Sequence, residues 1–424
     1  MLQRSNCTIR LAQRGFSLVE LMVSIALGLL VVAAVLALYL NISRTNSEMA
    51  KTNSLIENGR FAMQLLQNDI VHAGFWGAHV PEFDDLTFAA APTDVPTAVP
   101  NPCLPYSTPW SAGYKTQLVG IPVQAYGATP PSGSGCATNF ATNKQANTDL
   151  LVVRHADTCV AESPAVGNCE ALAAGNVYFQ TTLCELESAT PYVLTDYSLA
   201  TAATDFPLHK RDCVGTGTPP ALPITAGTAA DLRRFISNIY YIRDYAVTAG
   251  DGIPTLMRSS FGLSGSTLAH QVSQPLIEGV EGFRVELGID NKSRCNHNVN
   301  PSAAISYVNP ATCAVDTDTT KNTLVDNRGD GVPDTFVSCT DASPCTAAQL
   351  INAVAVKLYL LVRSKEPTPG YTDNKTYALG TQTICSTSST DSGCALKVLD
   401  PQFKRHVFSA AIRLTNISGR RETP

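Results

Sequence analysis

The sequence lacks the short motifs that accompany most enzymatic and zinc chemistry. Its 424 residues contain no G-x-S-x-G, no G-x-x-x-x-G-K-[ST], no G-x-G-x-x-G and no C-x-x-C. The seven histidines, at positions 72, 79, 155, 209, 270, 297 and 406, are scattered without a spacing typical of metal ligands. No residue can therefore be assigned a catalytic role, and we predict that the chain is not an enzyme and carries no resident cofactor.

Charged residues are also scarce. They make up 15% of the chain, whereas hydrophobic residues make up 44%, a composition that excludes disorder of the whole chain. The first fifteen residues hold Arg4, Arg10 and Arg14 and no acidic residue, and without these three the 30 basic residues fall to 27 against 35 acidic ones. An acidic body gives no electrostatic reason to bind nucleic acid.

Cysteine is absent from residues 8–102, but thirteen cysteines occur in the chain, and Cys7 lies in the basic N-terminal segment. The others predict disulfides formed in an oxidising compartment, and they are Cys103, Cys136, Cys159, Cys169, Cys184, Cys213, Cys295, Cys313, Cys339, Cys345, Cys385 and Cys394. Spacing does not fix their pairing. The neighbour pairs Cys295–Cys313, Cys339–Cys345 and Cys385–Cys394 would each close a short loop, and other pairings stay open.

Residues 16–40 form a long apolar run, FSLVELMVSIALGLLVVAAVLALYL. As a helix this run spans roughly 37 Å, which is enough to cross a ~30 Å hydrocarbon layer with some tilt. Basic residues precede the run and few follow it, so we expect the N-terminus in the cytoplasm and the body outside the inner membrane. An ordinary secretory signal would have a shorter run followed by a small-residue cleavage site. An uncut signal anchor would leave a carboxylate within the run unexplained.

That carboxylate belongs to Glu20, the one acidic or basic residue of the run. A charge inside a bilayer costs several kcal/mol or more unless it finds a partner, and we expect none within the run itself. A cut between Gly15 and Phe16 would create an α-amino group four residues away. Glu20 could then pair with this amine in its own helix, or with the amine of a staggered neighbouring helix, which would set the register between subunits.

The segment RGFSLVE at residues 14–20, followed by about twenty apolar residues, resembles the class III signal of type IV prepilins and type II secretion pseudopilins. The motif is short, but its context is demanding: a basic leader, a glycine, a hydrophobic residue, a glutamate at fixed spacing and a long apolar helix. The resemblance implies cleavage after Gly15 by the prepilin peptidase, N-methylation of Phe16 and an assembly role for Glu20.

The helical pattern continues beyond the apolar run and should stop near Gly74 and Gly77. One stripe is apolar and should pack on a sheet: Leu55, Gly59, Ala62, Leu66, Ile70 and Ala73. Gly59 is either a tolerated weak position or a point of close packing against another backbone. The segments ENGRFA (57–62), DI (69–70) and AGF (73–75) resemble the PilW-type minor pilins, which are relatives of the J-type pseudopilins.

Alternating patterns predict strands in the body at residues 149–155, 275–290, 353–363 and 404–416, with a hairpin over 235–260 and a strand near Gln117–Val123. Residues 79–148 are expected to be long loops held by Cys103 and Cys136, and residues 157–230 are expected to be loop-rich, with four further cysteines. The sequence thus predicts an α+β, type IV pilin-like fold, in which a long N-terminal helix with a membrane-spanning first half packs on an antiparallel β-sheet with large disulfide-bearing loop insertions.

The expected domains are a leader peptide (1–15), the transmembrane half of the helix (16–40), its amphipathic half (41–77) and a periplasmic or extracellular head (78–424).

The segment DNRGDGVPD at residues 326–334 has the spacing of a calcium loop, with Asp326, Asp330 and Asp334 as candidate ligands. Arg328 stands where a third ligand would be needed, and Val337 stands where calcium loops place a glutamate. A solvated Asp-Gly turn is therefore the favoured interpretation, and calcium is the alternative.

The resemblance implies a minor pilin that acts in type IV pilus assembly within a priming or tip complex. Its partners would be other minor pilins, the major pilin, the prepilin peptidase, the inner-membrane assembly platform, membrane lipid and a tip adhesin. It would be stored as a single-pass inner-membrane protein and then enter the pilus at the cell surface. A J-like pseudopilin of type II secretion and a membrane-anchored periplasmic adhesin or enzyme are the alternatives.

Overall fold

The computed structural model describes residues 17–106, 110–131, 136, 143–162, 164–198, 200–217, 221–394 and 396–422. The chain divides into two compact units, the first ending at Asn53 and the second beginning at Ser54. The helices are α1 (Leu18–His72), α2 (Ala112–Gly120), α3 (Ala202–Asp205), α4 (Ala347–Leu350) and α5 (Thr415–Arg421), with 3₁₀ turns at Glu82–Asp84, Glu185–Glu187 and Thr319–Lys321.

Nineteen strands occur among the described residues. They are β1 (Val123–Tyr126), β2 (Leu150–Ala156), β3 (Val177–Thr181), β4 (Tyr192–Asp196), β5 (Val214–Thr216), β6 (Ala221–Ala226), β7 (Leu232–Arg243), β8 (Thr255–Ser264), β9 (Thr267–His270), β10 (Gln274–Glu278), β11 (Val280–Ile289), β12 (Tyr307–Val308), β13 (Leu324–Val325), β14 (Thr335–Val337), β15 (Ala353–Arg363), β16 (Thr376–Leu379), β17 (Gln382–Ser386), β18 (Leu396–Leu399) and β19 (Arg405–Arg413).

In the first unit, α1 runs through the apolar segment without interruption. The segment holds no proline, and its Ala, Leu and Val side chains are exposed along its whole length. A helix whose surface is apolar on all sides suits a hydrocarbon environment. In the part of the chain that the structure describes, α1 is the one helix long and apolar enough to cross a membrane.

In the second unit, the last turns of α1 are amphipathic. The predicted stripe is confirmed, since Leu55, Gly59, Ala62, Met63, Leu66 and Ile70 are the buried residues of the helix. The helix ends at His72, two residues before Gly74, whose φ of +74° lies in the left-handed region. A glycine adopts this conformation without a Cβ clash and commonly ends a helix.

The predicted helix-on-sheet packing is also confirmed. β11, β15 and β19 pair antiparallel in a four-stranded sheet of order β14-β11-β15-β19. Leu358 lies opposite Val285 on one side and Ala410 on the other. The alternating apolar side chains of these strands join the helix stripe in one hydrophobic core. The segment predicted as a strand at 404–416 ends earlier, because its last residues begin α5.

A second, eight-stranded sheet contains β1, β2, β3, β4, β7, β8, β9 and β10. The predicted strand at 149–155 and the predicted hairpin are confirmed as β2 and as the antiparallel pair β7–β8. Leu151, Val153, Tyr240 and Ile242 of this sheet enter the same core as α1 and β15.

Two predictions about this region were wrong. Residues 117–120 lie in α2, not in a strand, because the Ser111 side chain caps that helix by accepting a hydrogen bond from the Tyr114 amide. The segment 275–290 is two strands, since it breaks at Gly279, whose φ is +84°. The loop-rich stretch 157–230 also contains strands, since β3 and β4 pair with each other and β3 pairs with β7.

The structure joins the twelve cysteines beyond residue 100 into six disulfides. Their pairs are Cys103–Cys136, Cys159–Cys169, Cys184–Cys213, Cys295–Cys313, Cys339–Cys345 and Cys385–Cys394. The three neighbour pairs considered from the sequence are among them. The remaining cysteine, Cys7, lies outside the described residues.

Candidate assembly site

The candidate assembly site is the first turn of α1. Ser17 is the residue before the helix, and its hydroxyl accepts a hydrogen bond from the Glu20 amide at 3.3 Å. In return the Glu20 carboxylate accepts a hydrogen bond from the Ser17 amide at 3.1 Å. This reciprocal pair is a capping box, which satisfies two amides that an uncapped helix would leave unpaired.

The capping box corrects the expectation that Glu20 has no partner within the run. The Ser17 amide offsets part of the cost of placing the carboxylate among exposed apolar side chains. A carboxylate offers about four lone-pair positions, so the Ser17 amide leaves room for further donors. The carboxylate also lies at the positive end of the helix dipole, which favours a negative charge there.

The predicted cleavage and methylation positions, Gly15 and Phe16, lie outside the described residues. The assembly role of Glu20 therefore stays a prediction, to which the structure adds the position of its carboxylate at the start of the helix.

Farther along α1, Gly59 marks a close approach between the helix and the sheet. A Cβ at this position would lie 2.0 Å from Cε2 of Phe408 on β19. The sequence left open whether Gly59 is a weak position or a close contact, and the structure favours the contact, although the neighbour is an aromatic side chain and not a backbone. At the preceding residue, the Asn58 side chain donates to the Glu278 carbonyl at 3.1 Å.

The next polar contact between α1 and the body is made by Asp69. Its carboxylate accepts hydrogen bonds from His155 Nε2 at 3.1 Å, Tyr240 Oη at 2.9 Å and Asn238 Nδ2 at 3.1 Å. Burial opposes the charged form of His155, but the hydrogen bond and charge of Asp69 outweigh it and raise the pKa of His155. No local sequence pattern indicates this cluster, since its members come from three separate elements.

The C-terminal helix is held by Arg421, which is buried. Its Nε donates to Asp84 at 2.7 Å, one Nη donates to Asn352 at 3.0 Å and lies 3.3 Å from Asp290, and the other donates to the Ile351 carbonyl at 2.8 Å. One guanidinium thus connects α5, the turn after α1, the end of β11 and the start of β15. Its planar fork of donors suits this task better than the single ammonium of lysine.

The Asp-Gly loop folds against the same cluster. The amides of Asp330 and Gly331 donate to Asp290 at 3.2 and 2.9 Å, so the loop wraps around a carboxylate whose cation is Arg421. A Cβ at Gly329 would lie 2.0 Å from Asp290 Oδ2, and Gly331 has a φ of +81°. The glycines are needed for this close approach.

The three candidate calcium ligands accept hydrogen bonds from separate groups of protein donors. Asp326 accepts from His297 and Ser293, while Asp334 accepts from the backbone amides of residues 291 and 292. Asp330 accepts from an amide of its own turn. Within the described ranges, no three His, Cys, Asp or Glu side chains are grouped so that they could hold a metal ion.

Comparison with known protein families gives two matches. Residues 239–416, from β7 to the start of α5, match the family described as type IV pilus-assembly protein W. Residues 10–36, which include Glu20, match the prokaryotic N-terminal methylation motif. No curated protein and no solved structure matches the chain. The family match over residues 239–416, the methylation motif at the head of the apolar helix and the pilin-like α+β fold support a PilW-type protein of the type IV pilus system.

Proposed function

We propose that this protein is a minor pilin that is cut after Gly15 and enters the type IV pilus through α1, in a priming or tip complex. Until then it would be stored in the inner membrane, with its N-terminus in the cytoplasm and the body in the periplasm. It would act as a structural subunit and not as an enzyme, and without a resident metal ion.

The observation that carries this proposal is the position of Glu20. Its carboxylate stands at the first turn of a helix whose following side chains are apolar and exposed. Such a carboxylate is costly in hydrocarbon unless a cation reaches it. Cleavage after Gly15 would supply that cation at Phe16. Paired between staggered subunits, the two charges would favour one register in the filament core, where the dielectric is low and the attraction is strong.

The body supports a place near the end of the filament. Residues 78–238 lie outside the range that matches the family, and two further segments, 291–334 and 364–404, interrupt the four-stranded sheet between β11 and β15 and between β15 and β19. A repeating subunit must fit against copies of itself on every side, which such additions would hinder. A priming subunit has neighbours on one side only. Other minor pilins and the major pilin would then be its partners.

The proposal is tested first by sequencing the N-terminus of the protein from membranes. A start at methylated Phe16 is expected, and an intact Met1 would overturn the cleavage and with it the assembly route. Deleting the gene should reduce surface pili. Unaltered piliation would favour a membrane-anchored adhesin or enzyme.

The role of Glu20 is tested by Glu20→Gln, with Ser24→Ala as the matched control. Ser24 lies one turn further along the helix, and its hydroxyl only returns a hydrogen bond to the Glu20 carbonyl at 2.7 Å. The fraction of the protein recovered in sheared pili should fall for Glu20→Gln and stay at the wild-type level for Ser24→Ala. Equal recovery of both variants would contradict the charge-pairing argument.

A further inference from the structure

Every disulfide in the structure joins two cysteines that follow one another in the sequence. The separations of the partners range from 6 residues for Cys339–Cys345 to 33 residues for Cys103–Cys136. Twelve cysteines allow on the order of 10⁴ connectivities, and strictly consecutive pairing is a single one of these. Such a pattern needs a physical reason.

Loop length alone does not supply that reason. Closing a shorter loop costs less entropy, yet Cys136 is closer in sequence to Cys159 than to its partner Cys103. In the same way, Cys184 is closer to Cys169 than to its partner Cys213. If all twelve thiols were present at once in an unfolded chain, these two wrong pairs would compete with the native ones.

Correction of wrongly paired disulfides after folding is also hindered. Cys103 is 1% exposed and Cys136 is fully buried, and both lie in a hydrophobic cluster with Leu150, Val152 and Ile239. Cys184, Cys339 and Cys385 are buried as well. Since thiol–disulfide exchange requires a thiolate to reach a sulfur atom, an exchange enzyme cannot reach these bonds once the core has closed around them.

We propose that the six disulfides form in chain order as the body leaves the membrane, by the action of a thiol oxidase alone and without a disulfide isomerase. The inference rests on the orientation given under the proposed function, because Cys7 then stays on the cytoplasmic side and Cys103 is the first cysteine to reach the oxidising side. Each later cysteine then meets a single unpaired thiol, or none, and the order of arrival selects the native connectivity.

The chemistry of each step is a two-electron exchange. A thiolate of the chain attacks the disulfide of the oxidase and forms a mixed disulfide, and the second cysteine of the pair displaces the oxidase. The two thiols of the chain lose two protons and two electrons, and the oxidase leaves with its own two sulfurs reduced to thiols.

The experiment compares the full chain in cells that contain both enzymes, in cells without the isomerase and in cells without the oxidase. Disulfides are read by trapping free thiols with a maleimide and mapping the linked peptides by mass spectrometry. We expect the six native pairs in undiminished yield without the isomerase, and free thiols without the oxidase. A dominant Cys136–Cys159 or Cys169–Cys184 peptide in cells without the isomerase would overturn the inference.

A pair of variants tests the order of arrival. Ala112→Cys places an exposed thiol between Cys103 and Cys136, so the first cysteine would meet a wrong partner first. Ser409→Cys, also exposed, adds a thiol after all native pairs have closed. We expect a several-fold loss of native Cys103–Cys136 in Ala112→Cys, made worse without the isomerase, and no loss in Ser409→Cys. Equal behaviour of the two variants would contradict formation in chain order.

The outcomes also separate this inference from the proposed function. If the body never enters an oxidising compartment, all thiols of the wild-type chain will be free even in cells that contain both enzymes, and the proposed orientation fails. If the thiols are oxidised but wrongly paired without the isomerase, the orientation stands and only the inference about chain order fails.

Discussion

Replacing Gly59 by alanine gives a quantitative test of how α1 packs on the sheet. The new Cβ would lie 2.0 Å from Cε2 and 2.4 Å from Cζ of Phe408, about 1.5 Å short of the ~3.5 Å separation that carbon atoms prefer. Such overpacking costs about 1–3 kcal/mol, whereas alanine gains about 1 kcal/mol over glycine within a helix. We therefore expect Gly59→Ala to lower the free energy of unfolding by up to about 2 kcal/mol.

The measurement is urea unfolding of the full chain in detergent, followed by the fluorescence of Trp76, which is fully buried in the folded protein. Phe408→Leu should remove most of the penalty. The double variant should therefore be more stable than the sum of the two single-variant changes predicts for independent sites. Gly113→Ala is the control, since a Cβ there has no neighbour within 4 Å and should be neutral or stabilising. If Gly59→Ala behaves like Gly113→Ala, the proposed contact does not exist.

Four further outcomes follow from the structure. Arg421→Gln removes the cation beside buried Asp290 and one of the two cations beside buried Asp84, and it should cost about 3–5 kcal/mol in an unfolding titration. Arg413→Gln, which breaks an exposed pair, should cost below about 1 kcal/mol, and equal losses would contradict the role of burial. Burial lowers the pKa of His79 to about 3, so the unfolded chain binds an extra proton between pH 6.5 and 3. The free energy of unfolding should therefore decrease as the pH is lowered through this range, by up to about 1.4 kcal/mol per pH unit. His79→Phe should flatten this slope, and an unchanged slope would refute the assignment. Ser17→Ala should reduce recovery in sheared pili while Ser17→Thr retains it, and equal recovery would show that the cap is dispensable. Excess calcium should leave the melting temperature unchanged, and a rise that Asp330→Ala abolishes would show that the loop does bind the ion.

The elements that the sequence predicted well are those whose environment repeats at every second or every third to fourth residue. β15 was predicted with its observed bounds, because both of its edges are paired and every second side chain from Val354 to Val362 enters the core that it shares with the helix. The stripe of α1 from Leu55 to Ile70 follows the same logic with helical spacing.

The contacts that sequence could not supply are those between distant segments. Arg421 meets Asp84 and Asp290 only after four elements have assembled, and no local spacing links these residues. The Asp-Gly loop illustrates the consequence. Its own spacing suggested calcium, but the partner of its amides is Asp290, which lies outside the loop and already has a cation in Arg421.

The capping box at Ser17 and Glu20 is a different case, because S-x-x-E before an apolar run is a known signature of a helix start and could have been read from the sequence. It changes how the role of Glu20 should be understood. The Ser17 amide belongs to the bond between residues 16 and 17, so removal of the leader leaves this hydrogen bond intact. The carboxylate is therefore already directed toward the start of the helix before cleavage, and the new amine would add a charge to a side chain whose position is set. Pre-organisation of this kind reduces the conformational entropy lost on pairing, so Ser17 would favour assembly by orienting Glu20 without itself contacting the neighbouring subunit.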